Sequence, residues 1–265
     1  MTFAAILLVL AGGLIGGLYA LQDQMLFFPR PLVGPGPSGS HVEGVEISAA
    51  DGTPLRGWLV KSGRNPTPLL LYFGGNAEEV SWLAAQGVER SGWSLLLVNY
   101  RGYGRSGGRP SEANLFADAV RLYDWAADRP GVDARRIAAM GRSLGSAVAI
   151  YLATQRPLVG LVLVTPFDSM TAVGQRHYPF LPVRWLLRHP FDSLSRAGGI
   201  AVPALMLVGG RDAIIPPEHA KRLYERWAGP KRWIEFPLAD HDSISADPGY
   251  WPAITEFLNA LPAPP

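Results

Sequence analysis

An α/β domain with a mostly parallel central sheet and helices on both faces is the fold class this chain predicts. Short apolar runs recur along it, each ending in a Gly, Pro or polar turn, and helical patterns lie between them. Strand, helix, strand, repeated, is the signature of a parallel sheet covered on both sides. A third observation adds a separate element: the first twenty or so residues carry no charge.

That run, Thr2 to Leu21, comes first in the chain. About twenty apolar residues in a helix rise roughly 30 Å, which matches a hydrocarbon core. Residues 1–30 are therefore read as a single-pass transmembrane anchor with the start of a linker, and residues 31–265 as the domain. A cleaved signal peptide is the alternative. Against it, no Lys or Arg precedes the run, and Leu18-Tyr19-Ala20 is a poor cleavage site. The bilayer is thus an expected partner. Sidedness is not set, because the nearby Arg30 is offset by Asp23.

Pro29 to Ser40 is rich in Pro, Gly and Ser and reads as a linker. Val42 to Ser48 and Leu55 to Val60 flank Asp51-Gly52, a hairpin signal. Strands follow at Leu69 to Phe73, Ser94 to Val98, Ile137 to Met140, Leu161 to Val164, Ala204 to Val208 and Trp233 to Phe236. Helical patterns occupy Ala77 to Gln86, Glu112 to Ala127, Leu144 to Thr154, Glu218 to Trp227 and Trp251 to Leu261. In such sheets ligands bind outside the carboxyl ends of the strands. An insertion at about 167–200, carrying Arg176 to Pro182 and Arg184 to Arg188, is read as a short cap. Its apolar and basic side chains suit an acyl chain or a lipid headgroup, with ordinary cap packing as the alternative.

Composition removes several classes. Charged residues make up 17% and hydrophobic ones 48%, a balance that argues against disorder. Formal net charge is +2 and the basic residues are scattered, so no nucleic-acid surface is expected. There are no cysteines, which excludes a disulfide framework, a zinc-thiolate site and a cysteine nucleophile.

The chemistry concentrates at strand ends. Gly141-Arg142-Ser143-Leu144-Gly145 follows a strand and opens a helix, the context of a nucleophile elbow. Its glycines let neighbouring backbone pack close, and the turn lifts the Ser143 hydroxyl clear of the sheet. A serine needs a base to take its proton. His241 sits after the last strand; His219 falls in a predicted surface helix, His41 in the linker, and His177 and His189 in the insertion. Asp212 follows the penultimate strand and is read as the carboxylate that orients His241, with Asp168 as runner-up. The order Ser, Asp, His is that of the α/β-hydrolase fold. Oxyanion donors are expected from the Leu144 amide and, in the loop Gly74 to Ala77, from the Asn76 amide, with Gly75 as alternative.

Five motifs in order resemble one family: Phe-Gly-Gly-Asn-Ala at 73–77, Asn-Tyr-Arg-Gly-Tyr-Gly-Arg-Ser at 99–106, Gly-Arg-Ser-Leu-Gly at 141–145, Gly-Gly-Arg-Asp-Ala-Ile-Ile-Pro at 209–216 and Asp-His-Asp at 240–242. They are similar to the α/β-hydrolase-domain family, in its Bem-like branch of membrane-anchored hydrolases that includes protein depalmitoylases and lysophospholipases. The resemblance covers roughly residues 40–260, and Ser143, Asp212 and His241 match the family triad. Two positions depart from the branch: Gly74 stands where a histidine is usual, and Asn99 where an aspartate is usual.

Together these readings predict a membrane-anchored serine hydrolase cleaving carboxylic esters or thioesters through an acyl-enzyme, without metal or cofactor. Its substrate is expected to be a small molecule, a lipid or an acylated protein. A serine peptidase or acyltransferase on the same fold, or a catalytically silent anchored binding module, are the alternatives. A chain starting near Pro31 is expected to be soluble and to keep short-ester hydrolysis, since no triad residue lies upstream.

Overall fold

The structure, a computed structural model, describes residues 2–262, without the side chains of 2–9, 11, 14, 15, 18 and 90. Eight strands form one sheet: β1 (Val42–Ser48), β2 (Pro54–Val60), β3 (Thr67–Phe73), β4 (Ser94–Val98), β5 (Val132–Arg142), β6 (Leu161–Val164), β7 (Ala204–Gly209) and β8 (Lys231–Phe236). Their order is β1-β2-β4-β3-β5-β6-β7-β8. The β1–β2 and β2–β4 pairs are antiparallel and all others parallel. The helices are α1 (Thr2–Leu26), α2 (Glu112–Ala127), α3 (Leu144–Gln155), α4 (Met170–His177), α5 (Val183–Leu186), α6 (Leu194–Ala197), α7 (Pro217–Arg226) and α8 (Tyr250–Ala260). Helices α4, α5 and α6 make up the insertion expected from the sequence.

Every residue of β3, β4, β6 and β7 is buried, which is why these strands read as unbroken apolar runs. The period of two divides each run between two cores. Leu69, Leu71 and Phe73 face α2 and α3, while Leu70 and Tyr72 face the core that α8 completes with Ile254 and Leu258. Helix α3 is buried at every position from Leu144 to Ile150. A helix apolar all round belongs inside a layered domain.

The sheet's order reverses direction around β3. From β3 the chain moves to β4 on one side, and from β5 to β6 on the other. The carboxyl ends of β3 and β5 therefore flank a topological switch point, the crevice where open α/β sheets bind ligands. Gly74 to Ala77 and the Ser143 turn both lie there.

Three elements differ from expectation. Ala77 to Gln86 is no α-helix: short 3-10 helices run over Val80–Ala85 and Val88–Ser91. Glu79 caps the first through the Ser81 N–H, and Glu78 turns inward, so side chains hold the segment in tighter turns. Strand β5 starts at Val132, five residues earlier than its apolar run, because Val132 pairs with Thr67 across a register shift. The linker is not free either. Pro31 bridges Gly104, the Gly104 N–H donates to Arg30 O at 2.7 Å, and Arg105 reaches Gly34 O at 2.9 Å.

Counted over the described residues, no helix is long and apolar enough to cross a membrane. The expected anchor, Thr2 to Leu21, coincides with the first part of α1, and most of its apolar side chains lie outside the described residues.

The 99–106 motif is a structural hub. Arg101 is 4% exposed, and its Nε and NH2 donate to the two Asp118 carboxylate oxygens at 2.7 and 2.8 Å. Its third nitrogen reaches Asp51 and Thr53 in the β1–β2 turn. Burial raises the Asp118 pKa even with Arg101 beside it. Removing the cation strands that carboxylate. Arg101→Met is therefore expected to lose about 3–5 kcal/mol of stability at neutral pH in urea denaturation. Burial raises the Asp118 pKa and the Arg101 cation lowers it, so without Arg101 the folded variant takes up the proton at higher pH than the wild type, and its deficit should shrink as pH falls.

Candidate active site

The turn between β5 and α3 is built by its glycines. A Cβ at Gly145 would overlap the Phe73 carbonyl oxygen, and one at Gly141 the Gly145 carbonyl oxygen. With that close approach, Ser143 takes φ 51° and ψ −117°, a left-handed backbone that costs a non-glycine residue about 1–3 kcal/mol. Local bonds fix the turn: the Ser143 N–H donates to Val164 O at 2.9 Å, and Ser146 returns its Oγ–H to Ser143 O at 2.6 Å.

Three of the expected residues meet. His241 Nε2 lies 3.0 Å from Ser143 Oγ, and His241 Nδ1 lies 2.7 Å from Asp212 Oδ2. Asp212 Oδ1 accepts the Ile214 and Ile215 amides at 2.9 and 2.7 Å, which leaves its other oxygen for the histidine. An acceptor at Nδ1 sets the tautomer, with the proton on Nδ1 and a lone pair on Nε2 facing the serine hydroxyl. All three residues are buried, at 9% or less exposed. His241 owes its place to Asp240, whose Oδ1 accepts the Asp242 and Ser243 amides and the Ser243 hydroxyl. Those bonds, the Ser243 hydroxyl's foremost, hold the Asp240 pKa below the usual range.

Asp168 stands elsewhere. It bonds His219 Nδ1 at 2.7 Å and Arg222 Nε at 2.6 Å. Burial pushes the Asp168 pKa up, but these partners outweigh it and lower it overall. His219, expected on a surface helix, is 3% exposed. Its helix α7 is amphipathic, and His219 lies on the inward face with Ala220 and Leu223.

The loop Gly74 to Ala77, expected to supply an oxyanion amide, is braced from below. The Gly75 N–H is engaged, donating to Glu78 Oε2 at 2.6 Å. Among the described residues, the amides of Leu144 and Asn76 donate to no protein group, as orphan donors of a waiting anion site do. The Asn76 side chain accepts from the Ala77 and Phe28 amides, both at 3.0 Å, and from Tyr103 OH at 2.7 Å, and its amide donates to Leu26 O. The end of α1 is thereby tied to this loop. Phe27, 3% exposed, packs with His189 and Phe191 in the core. A cut near Pro31 would remove these contacts, so the upstream segment holds no triad residue but does brace the loop.

Two side chains that the sequence reading passed over join the loops. Glu78 Oε1 accepts Tyr72 OH at 2.6 Å and Trp82 Nε1 at 2.9 Å, and Oε2 accepts Arg142 as well as Gly75. Arg142 also donates to His241 O at 2.9 Å and Asp242 at 3.1 Å. Burial works against the Arg142 charge, but Glu78 and Tyr72 outweigh it and raise its pKa. A charge beside the nucleophile, in the free position of Gly-x-Ser, was the signal available. The branch departure at position 99 has a local cause. Asn99 Nδ2 donates to Glu79 Oε1 at 2.7 Å, where an aspartate would meet that carboxylate head-on.

This sheet, with a serine, histidine and aspartate hydrogen-bonded at its strand ends, defines an α/β hydrolase. A family model described as serine aminopeptidase, S33, matches residues 65–195. An uncharacterised protein of Mycobacterium tuberculosis (strain H37Rv) is 40% identical over 90% of this chain and 86% of its own length. An uncharacterised membrane protein of Saccharomyces cerevisiae is 32% identical, covering 84% of this chain and 82% of that one. The α/β-hydrolase domain-containing protein WAV2 of Arabidopsis thaliana is 28% identical over 95% and 91%. Among solved structures, an esterase of Pyrococcus furiosus superposes with a TM-score of 0.71 at 22% identity, covering 88% of this chain and 96% of that one. The chain belongs to the α/β-hydrolase-domain family, in its Bem46-like branch.

The geometry separates the two candidate acids. Asp212→Asn is expected to lower kcat on an activated ester by roughly 10⁴-fold, because an amide no longer enforces the Nδ1–H tautomer. Asp168→Asn should instead lower the unfolding midpoint and leave kcat within a few-fold. Steady-state kinetics and thermal melts of both variants make the comparison.

Proposed function

We propose that this protein is a membrane-anchored serine hydrolase that cleaves carboxylic esters or thioesters of acyl or lipid type through an acyl-enzyme. The observation that carries the reading is the unbroken chain Asp212, His241, Ser143, beside the two uncommitted amides of Leu144 and Asn76. Ser143 Oγ attacks the substrate carbonyl while His241 Nε2 takes its proton. Asp212 stabilises the resulting imidazolium, and the Leu144 and Asn76 amides receive the oxyanion. Collapse expels the alcohol or thiol, which leaves with the proton from His241. Water then attacks the acyl-serine, with His241 again as base, and releases the acid and free Ser143.

The anchor reading is supported by the uncharged run, by its coincidence with the 25-residue helix α1, and by the word membrane in the yeast relative's description. An acylated protein and a lipid are both substrates this arrangement would accept at a bilayer surface. One observation favours a second reading: the matching family model is described as a serine aminopeptidase. An aminoacyl arylamide in the substrate panel discriminates it from ester cleavage.

Ser143→Ala is expected to abolish labelling by a fluorophosphonate probe, which reacts readily only with an activated serine. Labelling that persists would assign the nucleophile to another serine. The anchor has its own test. Full-length protein should sediment with membranes and resist high-salt and alkaline washing, since central Arg or Asp residues, at about 2.5–3.5 kcal/mol each, are absent from the run. Release by alkali would remove the anchor and leave the hydrolase.

A further inference from the structure

Between the last two turns of α1 and the cap lies a cleft of about 310 Å³. Tyr19, Met25 and Leu26 form one wall, and Met170, Val173 and Leu186 the other. Ligand clefts begin at roughly this size, about 300 Å³, and are lined mainly by apolar groups. The one buried amide on its lining, Gln22, turns its polar atoms to the cap backbone. Its Nε2 donates to Leu186 O at 3.1 Å and its Oε1 accepts the Arg188 N–H at 2.7 Å. The Gln22 amide is thus paired with backbone, and most of the remaining lining is apolar, as an acyl chain requires.

Its two edges meet the catalytic loops. On one side, the Leu26 carbonyl accepts a hydrogen bond from the side chain of Asn76, the residue whose backbone N–H is the proposed oxyanion amide. On the other, the His177 ring lies 2.8 Å from Ile214 O, and the Ile214 N–H is bonded to Asp212. On both sides, then, residues that line the cleft are hydrogen-bonded to the loops that carry Asn76 and Asp212. At its outer rim, Phe180 and Trp185 are 97% and 81% exposed, and Tyr178, Met25 and Tyr19 also face outward. Leu21 and Leu10 of α1, within the uncharged run, are exposed as well.

We propose that this cleft holds the acyl chain of the substrate and that α1 is itself one wall of it. The inference rests on the serine-hydrolase reading and deepens it, naming a long acyl chain as what the site selects. The acyl carbonyl sits at Ser143, and the chain extends along α1 toward the rim. Helix α1 is then a specificity element as well as an attachment.

Full-length protein assayed with 4-nitrophenyl esters from acetyl to dodecanoyl tests this. Wild-type kcat/KM should rise about three- to fourfold for each methylene that enters the cleft, until it is filled. Met25→Trp and, separately, Val173→Trp should lower the dodecanoyl-to-butanoyl ratio of kcat/KM by tenfold or more. Met25 is 52% exposed, so its replacement is compatible with folding even where that of the buried Val173 is not. Labelling rates with a dodecyl and an ethyl fluorophosphonate read the same preference without turnover. A flat chain-length profile, or a ratio unmoved by Met25→Trp with both probes equally fast, overturns the acyl cleft while leaving the hydrolase. Failure of the underlying reading looks different: no ester is hydrolysed and Ser143 takes no probe.

Discussion

Glu78 reaches beneath the end of β3 and accepts hydrogen bonds from Tyr72, Trp82, Gly75 and Arg142. Four donors around one buried carboxylate satisfy it fully, and each donor belongs to a different task. Gly75 sets the Gly74 to Ala77 loop, Tyr72 belongs to the sheet, Trp82 to the 3-10 turn, and Arg142 adjoins Ser143. Because Arg142 also holds the carbonyl of His241, the carboxylate couples loops more than sixty and ninety residues apart in the chain. The catalytic geometry depends on this junction. The Ser143 to His241 distance is set from both ends, by the strained turn of β5 and by the Arg142 bridge.

The parts legible in the sequence were those that a local pattern specifies. Gly141 is demanded by overlap with the Gly145 backbone four residues on, and the Gly-x-Ser-x-Gly pattern between a strand and a helix could be read directly, although the overlap that demands Gly145 is with the distant Phe73. Asp212 and His241 follow strands whose apolar runs are unmistakable, and the sheet's parallel order brings strand ends together. The start of α2 is likewise local: Ser111 caps it by accepting from the Asn114 N–H.

What was not legible depends on distant partners. Ala77 to Gln86 has helical spacing, but the inward bonds of Glu78 and Glu79 to Tyr72 and Asn99 override it. His219 reads as a surface residue until Asp168, fifty-one positions away, accepts its ring nitrogen. Pro29 to Ser40 has a linker's composition, yet bonds to the Gly104 backbone and the Arg105 side chain settle its course. In each case a long-range polar contact, invisible to periodicity, outweighed the local preference.

The attachment of α1 has a mechanical consequence. Gln22 is bonded to the backbone at Leu186 and Arg188, Asp23 to His189, and the helix's last carbonyl, that of Leu26, to Asn76. There is no slack leash between this helix and the catalytic loops, since even the residues that follow it are stitched to the 99–106 motif. The tilt of α1 and the heading of the Ser143 hydroxyl are one degree of freedom. A surface that held the helix would also set the height and bearing of Ser143, as a fixed arm does and a tether does not.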